Sequence, residues 1–145
     1  MYRVRFIAHF IIDYFSRSGT PISNLKLQKI LYFLWIDYFN KSHDYLFDEE
    51  FYAWQFGPVV PEIYDEYCIY GGFDIDRCYD ERELSDRDEA FLPKLLKRYA
   101  NKSVGSLVKQ SHQKNKPWDY IYNQQGKHRE PIPFEVIIER ECEKV

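Results

Sequence analysis

The sequence predicts a mainly α protein, a compact helical domain of about six helices with a small β-hairpin or extended arm near residues 45–56. Three observations predict it: apolar residues recur at helical spacing along most of the chain, Gly and Pro punctuate those runs, and one aromatic segment alternates instead. The 145 residues are 45% hydrophobic and 19% aromatic, enough for one core and outside the composition of disordered chains. A single domain over residues 1–145 is expected, because no repeat or low-complexity linker interrupts the pattern.

Val4, Ile7, Ala8, Ile11, Ile12 and Phe15 share one helical face until Gly19-Thr20-Pro21 stops it, which predicts a helix over roughly residues 3–17. Ser23 then suits an N-cap, and Ile22 can staple onto Leu27. The helix that follows, to about Asn40, is apolar around most of its circumference and should be central. Lys26, Lys29, Phe33, Asp37 and Asn40 share a face expected to meet water or a partner.

In YLFDEEFYAWQF, aromatic and polar residues alternate around Asp48-Glu49-Glu50, the period of an extended pair. Gly57-Pro58 is expected to turn the chain, and Pro61 to sit in the first turn of a helix that runs to Tyr70 and stops at Gly71-Gly72. Residues 73–84 are irregular and charged, the character of a surface loop. Ser85 caps the next predicted helix, whose apolar face is Phe91, Leu92, Leu95, Leu96 and Tyr99; Pro93 should kink it or delay its start. Ser103 caps a short helix carrying Val104, Leu107 and Val108. A helical turn after Pro117 and a loop should lead to a last helix from Pro133 to Lys144, burying Phe134, Ile137, Ile138 and Cys142.

Several function classes are disfavoured. A formal net charge of -3 argues against a phosphate-neutralising surface, so nucleic acid is an unlikely partner. Lys26 and Lys29 with Lys94, Lys97 and Arg98 are the one local basic patch that would suit DNA. No uncharged run reaches the roughly 20 residues of a membrane span, and Asp13 interrupts the apolar N-terminal stretch that a signal peptide would need. Three scattered cysteines without a CxxC pair suit a reducing cytoplasm.

His9, His43, His112 and His128 share no metal-ligand spacing, and HExxH and GxSxG motifs are missing from the sequence, so no metal, cofactor or catalytic residue is assigned. His9 reads as structural or solvated. His112 closes a helix just before Pro117-Trp118, where it can serve the last carbonyls; partner binding and proton transfer are the alternatives. In AWQFGPVVPEIY, Gly57 gives a tight turn, Pro58 and Pro61 restrict the backbone, and Trp54 offers an amphipathic anchor, which suits shape or recognition. Among Glu49, Glu50, Glu62, Asp65 and Glu66 an acid/base pair is the lesser reading.

Three blocks, ISNLKLQKILYFLWIDYF, LFDEEFYAWQFGPVVPEIYDEY and LVKQSHQKNKPW, together resemble the Panacea domain, the SocA-type antitoxin domain of prophage-associated proteins. Trp35, Ile36, residues 73–84 and the region after Trp118 depart from the family's pattern. The resemblance implies a non-enzymatic antitoxin that neutralises a cognate toxin protein by direct binding. Its motif or partner-binding positions would be Lys26, Gln28, Lys29, Tyr32, Trp54, Gly57, Pro58, Val59, Pro61, His112 and Trp118. A second implied reading is an adaptor that delivers the bound toxin to a Clp-type protease. A small hydrolase using His112 is the alternative from another class.

Overall fold

The computed structural model describes residues 1–143. Among them are seven α-helices and three short strands: α1 (Val4–Arg17), α2 (Asn24–Ser42), β1 (Phe51–Trp54), β2 (Gly57–Val59), α3 (Pro61–Tyr67), α4 (Asp86–Leu96), α5 (Val104–Ser111), α6 (Pro117–Asp119), β3 (Pro131–Ile132) and α7 (Phe134–Arg140). The mainly α expectation is borne out.

Helix α2 is the axle of the fold. Its capping Ser23 Oγ accepts from the Lys26 N–H at 3.3 Å, and α1, α3, α4, α5 and β2 all pack against it. Leu27, Ile30, Leu31, Leu34 and Trp35 are fully buried, which follows from a helix apolar on most sides. Trp35 donates its indole N–H to the Phe47 carbonyl at 2.9 Å and stacks on Phe134 at 4.8 Å. One hydrophobic cluster thereby draws in residues from Val4 to Cys142.

The three-stranded sheet has the order β2-β1-β3. Both neighbours run antiparallel to β1, with Tyr52 opposite Val59, Trp54 opposite Gly57, and Phe51 opposite Ile132. Phe51 and Ala53 point into the core, while Tyr52 and Trp54 are half-buried on the outer face, the alternation that a strand imposes.

Several expectations are corrected. The hairpin turns at Gln55-Phe56, and Gly57-Pro58, expected to turn the chain, is strand. Glu49 is engaged elsewhere, accepting from the Val4 N–H at 3.1 Å and so satisfying a free donor at the start of α1. The positions Lys29 and Phe33 on that face meet neither water nor a free surface: they are 0% and 3% exposed, Lys29 lying under the hairpin at Pro58 and Phe33 against Tyr99. Helix α4 starts at Asp86, without delay, and holds Pro93 inside. Proline leaves the Glu89 carbonyl without its helical donor, and Glu89 is exposed, where water can serve it. The helical turn expected after Pro117 is present as α6 and continues further than expected, as a π-helical turn over Tyr120–Gln124. Strand β3 went unforeseen, and α7 ends at Arg140; the predicted end at Lys144 lies outside the described residues.

Residues 73–84 lack regular structure yet are tied down. Ile75 is buried and donates its N–H to the Ile22 carbonyl at 2.8 Å. The buried Asp13 carboxylate accepts the Tyr79 and Asp80 N–H groups at 2.8 and 2.7 Å. Tyr79 stacks on His9 with ring centroids 3.6 Å apart. This segment is a strap over α1, and His9, 4% exposed, is a structural histidine bonded to Glu81.

Candidate functional site

Most of the sequence motif converges under the hairpin. Lys29, reaching up from α2 and fully buried, donates from Nζ to the Pro58 carbonyl at 2.6 Å. Burial disfavours its charged form and lowers its pKa to about 7. Just before it in the chain, Gln28 accepts the Val60 N–H at 2.9 Å and donates to Asn24 Oδ1, one turn earlier, at 3.0 Å. Asn24 in turn donates to the Tyr64 carbonyl at 3.0 Å. A chain of amide side chains on α2 thus clamps the junction between β2 and α3, supplying partners to backbone groups that would otherwise be buried and unpaired.

Gly57 is where the hairpin comes closest to this clamp. Its φ of +113° is a conformation that side-chain-bearing residues rarely adopt. A Cβ there would stand 2.7 Å from Ser111 Oγ and 2.9 Å from Lys29 Cε. Only glycine fits on both counts.

The third block holds the other side. Pro117 starts α6, and Trp118 donates its indole N–H to the Trp54 carbonyl at 2.7 Å. His112, at the end of α5, lies flat on Trp118 with centroids 3.7 Å apart and planes at 3°. Trp118 stacks on Tyr122 at 4.6 Å, and Tyr122 on His128 at 4.1 Å, forming a ladder of four rings. Burial lowers the His112 pKa, as does the nearby Lys29 charge, against opposing effects of the Phe56 backbone and Asp119. Asp119 anchors the turn: its carboxylate accepts from Asn123 at 2.8 Å, the Asn115 N–H at 2.9 Å and Gln124 at 2.9 Å. These bonds, Asn123 foremost, hold its pKa below the usual carboxylate range.

Gln28, Lys29, Trp54, Gly57, Pro58, His112 and Trp118 therefore meet in space. The others do not join them. Lys26 is half-buried beside Asp74, with its pKa lowered by burial. Tyr32 is core, edge-on to Phe33 and Phe51, and burial drives its phenol pKa far up. Val59 pairs with Tyr52, and Pro61 begins α3. With Lys29 sealed beneath Pro58, the basic patch proposed with Lys94, Lys97 and Arg98 loses a member. Sequence reasoning missed Ser111, Asn24 and Arg129. Asn24 and Ser111 sit at helix ends, positions from which a polar side chain reaches backbone. Arg129 gave no local signal; it lies over the Trp54 ring at 3.9 Å, brought there by β3.

The fold and this lock define a helical scaffold in which motif side chains are spent on backbone bonds and fasten a hairpin. Comparison with known proteins gives the family. The family model described as Antitoxin SocA-like, Panacea domain, matches residues 27–119. Antitoxin SocA of Caulobacter vibrioides (strain NA1000 / CB15N) is 32% identical over 134 residues, covering 84% of this chain and 71% of that protein. No solved structure matches the chain. The chain belongs to the SocA-like antitoxin family of Panacea domains, as the three sequence blocks led us to expect.

Proposed function

We propose that this protein is the antitoxin of a toxin-antitoxin pair and neutralises its toxin by holding it directly. Family membership is the observation that carries this reading. The use of the motif residues supports it. Lys29, Gln28 and Trp118 are consumed in fastening the hairpin, which suits a shared scaffold whose surface, rather than its motif, selects the partner. Aromatic residues left half-buried on the outer face of β1 are of the kind that anchor protein interfaces.

The test is co-expression with the product of the neighbouring gene, scored by growth and by co-purification. Rescue with a stable complex is expected. If no adjacent toxic protein is rescued, the reading falls; if rescue occurs only with accelerated toxin decay, direct holding gives way to delivery for degradation.

A further inference from the structure

The outer face of β1 is an unpartnered sheet face flanked by two clefts. One, of about 620 Å³, has Tyr52 and Trp54 as its aromatic floor and Asp48, Glu49, Glu50 and Glu62 at its rim. The other, of about 380 Å³, lies across Trp54 and Arg129, which line both; it is framed by Leu25, Phe56, Tyr64 and Asp65. Phe56, at the tip of the hairpin, is 58% exposed.

Charge says what the face would take. Asp48, Glu49, Glu50, Glu62 and Asp65 form no ion pair among the described residues, whereas Asp13, Asp37 and Asp88 elsewhere do. Five carboxylates therefore face the single cation Arg129, a local excess larger than the -3 carried by the whole chain. Glu49 Oε1 is buried at this rim without a hydrogen-bond partner. Such a field repels phosphates and attracts cations. Arg129 already lies over the indole at 3.9 Å and Tyr64 stands edge-on to it at 5.1 Å, so an arriving cation meets the rim carboxylates rather than the ring face.

We infer that the outer face of β1 is a docking surface for a protein segment carrying Lys or Arg beside an apolar side chain. The cationic residues enter the acidic cleft along Trp54, and the apolar one enters the cleft beside Phe56. This rests on the antitoxin reading only for the identity of the partner, the toxin; the chemistry of the surface stands on its own. Rim carboxylates raise the rate of encounter and fix the orientation, while Trp54 and Phe56 supply contact area.

The probe is a short blocked peptide alternating Arg and Leu, with its Gln-for-Arg counterpart as control. Each is titrated into the full chain by calorimetry and by the indole N–H resonances of its tryptophans. The Arg peptide is expected to shift the Trp54 resonance, to bind more weakly as salt rises, and to lose about tenfold or more in affinity with Glu50→Lys/Glu62→Lys. Both substituted residues are exposed, and an unchanged circular dichroism melt of the double reversal checks that the fold is kept. Binding that leaves Trp54 unmoved, survives the double reversal, or is matched by the Gln peptide overturns the inference. The rescue assay separates it from the antitoxin reading. Should the wild type neutralise a toxin and the double reversal do so equally well, the surface is wrong and the antitoxin reading stands. Should the wild type neutralise nothing, that reading falls and the peptide titration alone judges the surface.

Discussion

Lys29 Nζ and the Pro58 carbonyl, 2.6 Å apart and both buried, join the central helix to the hairpin through an amine that has no carboxylate beside it among the described residues. A lysine placed so is held at the cost of its charge, and the hairpin is the lid that excludes water from it.

That placement makes stability depend on pH. The folded Lys29 pKa of about 7 lies below its ordinary value of 10.5. Between these values the unfolded chain holds a proton that the folded chain has released. Stability contributed at this site therefore rises with pH across the window, approaching about 1.4 kcal/mol per pH unit near its middle. Denaturant titrations of the wild type and Lys29→Met at pH 7, 8 and 9 should show their difference moving in favour of the wild type as pH rises. Parallel curves would refute it.

At His112 the same sign applies in a lower window. Its pKa is lowered from 6.5, first by burial and then by Lys29, so the unfolded chain takes up the proton first as pH falls. Stability should drop as acid is added below about 6.5. His112→Phe, which keeps a ring on Trp118, should flatten that acid limb while leaving neutral stability nearly unchanged; an unaltered limb would place the titrating group elsewhere.

Gly57→Ala meets both a forbidden conformation and two contacts under 3 Å. A loss of about 2 kcal/mol or more is expected by chemical denaturation. Adding Ser111→Ala should return the part due to the Oγ contact and leave the part due to φ. A neutral Gly57→Ala would show that the hairpin can shift off α2.

Asp13→Ala removes the acceptor of two backbone N–H groups and should cost about 1–3 kcal/mol locally. Limited proteolysis and hydrogen exchange should find residues 76–84 newly accessible, with α2 still protected. Unchanged protection of the strap would mean that Tyr79 holds it without the carboxylate, through its stack on His9 and the 2.7 Å hydrogen bond between its hydroxyl and that of Tyr67.

What could be read from the sequence divides by the range of the forces involved. Ser23, Ser85 and Ser103 were each recognised as N-caps, and each accepts from the N–H three residues on, because capping is decided within one turn. Helical spacing puts Lys29 on a face open to water or a partner, because it reports direction around an axis and says nothing of the hairpin that covers that face. The hairpin was expected in nearly the right place with the wrong turn. Alternation was visible in FYAW, but the two-residue connection at Gln55-Phe56 carries no Gly of its own, and the glycine that makes it possible lies just beyond, at Gly57. Strand β3 is two residues long and exists only through pairing with a partner some 80 residues earlier. Motif residues could be named from the sequence; that most of them look inward could not.

Trp54 divides its work between two unlike parts. Its carbonyl is grasped by Trp118, while its ring stands on the outer face under Arg129. Every amino acid owns the same carbonyl, so the fastening is indifferent to what side chain sits at this position. Exchanging the ring, or its neighbours Tyr52 and Phe56, for other shapes would therefore remodel the outer face while leaving this fastening bond in place.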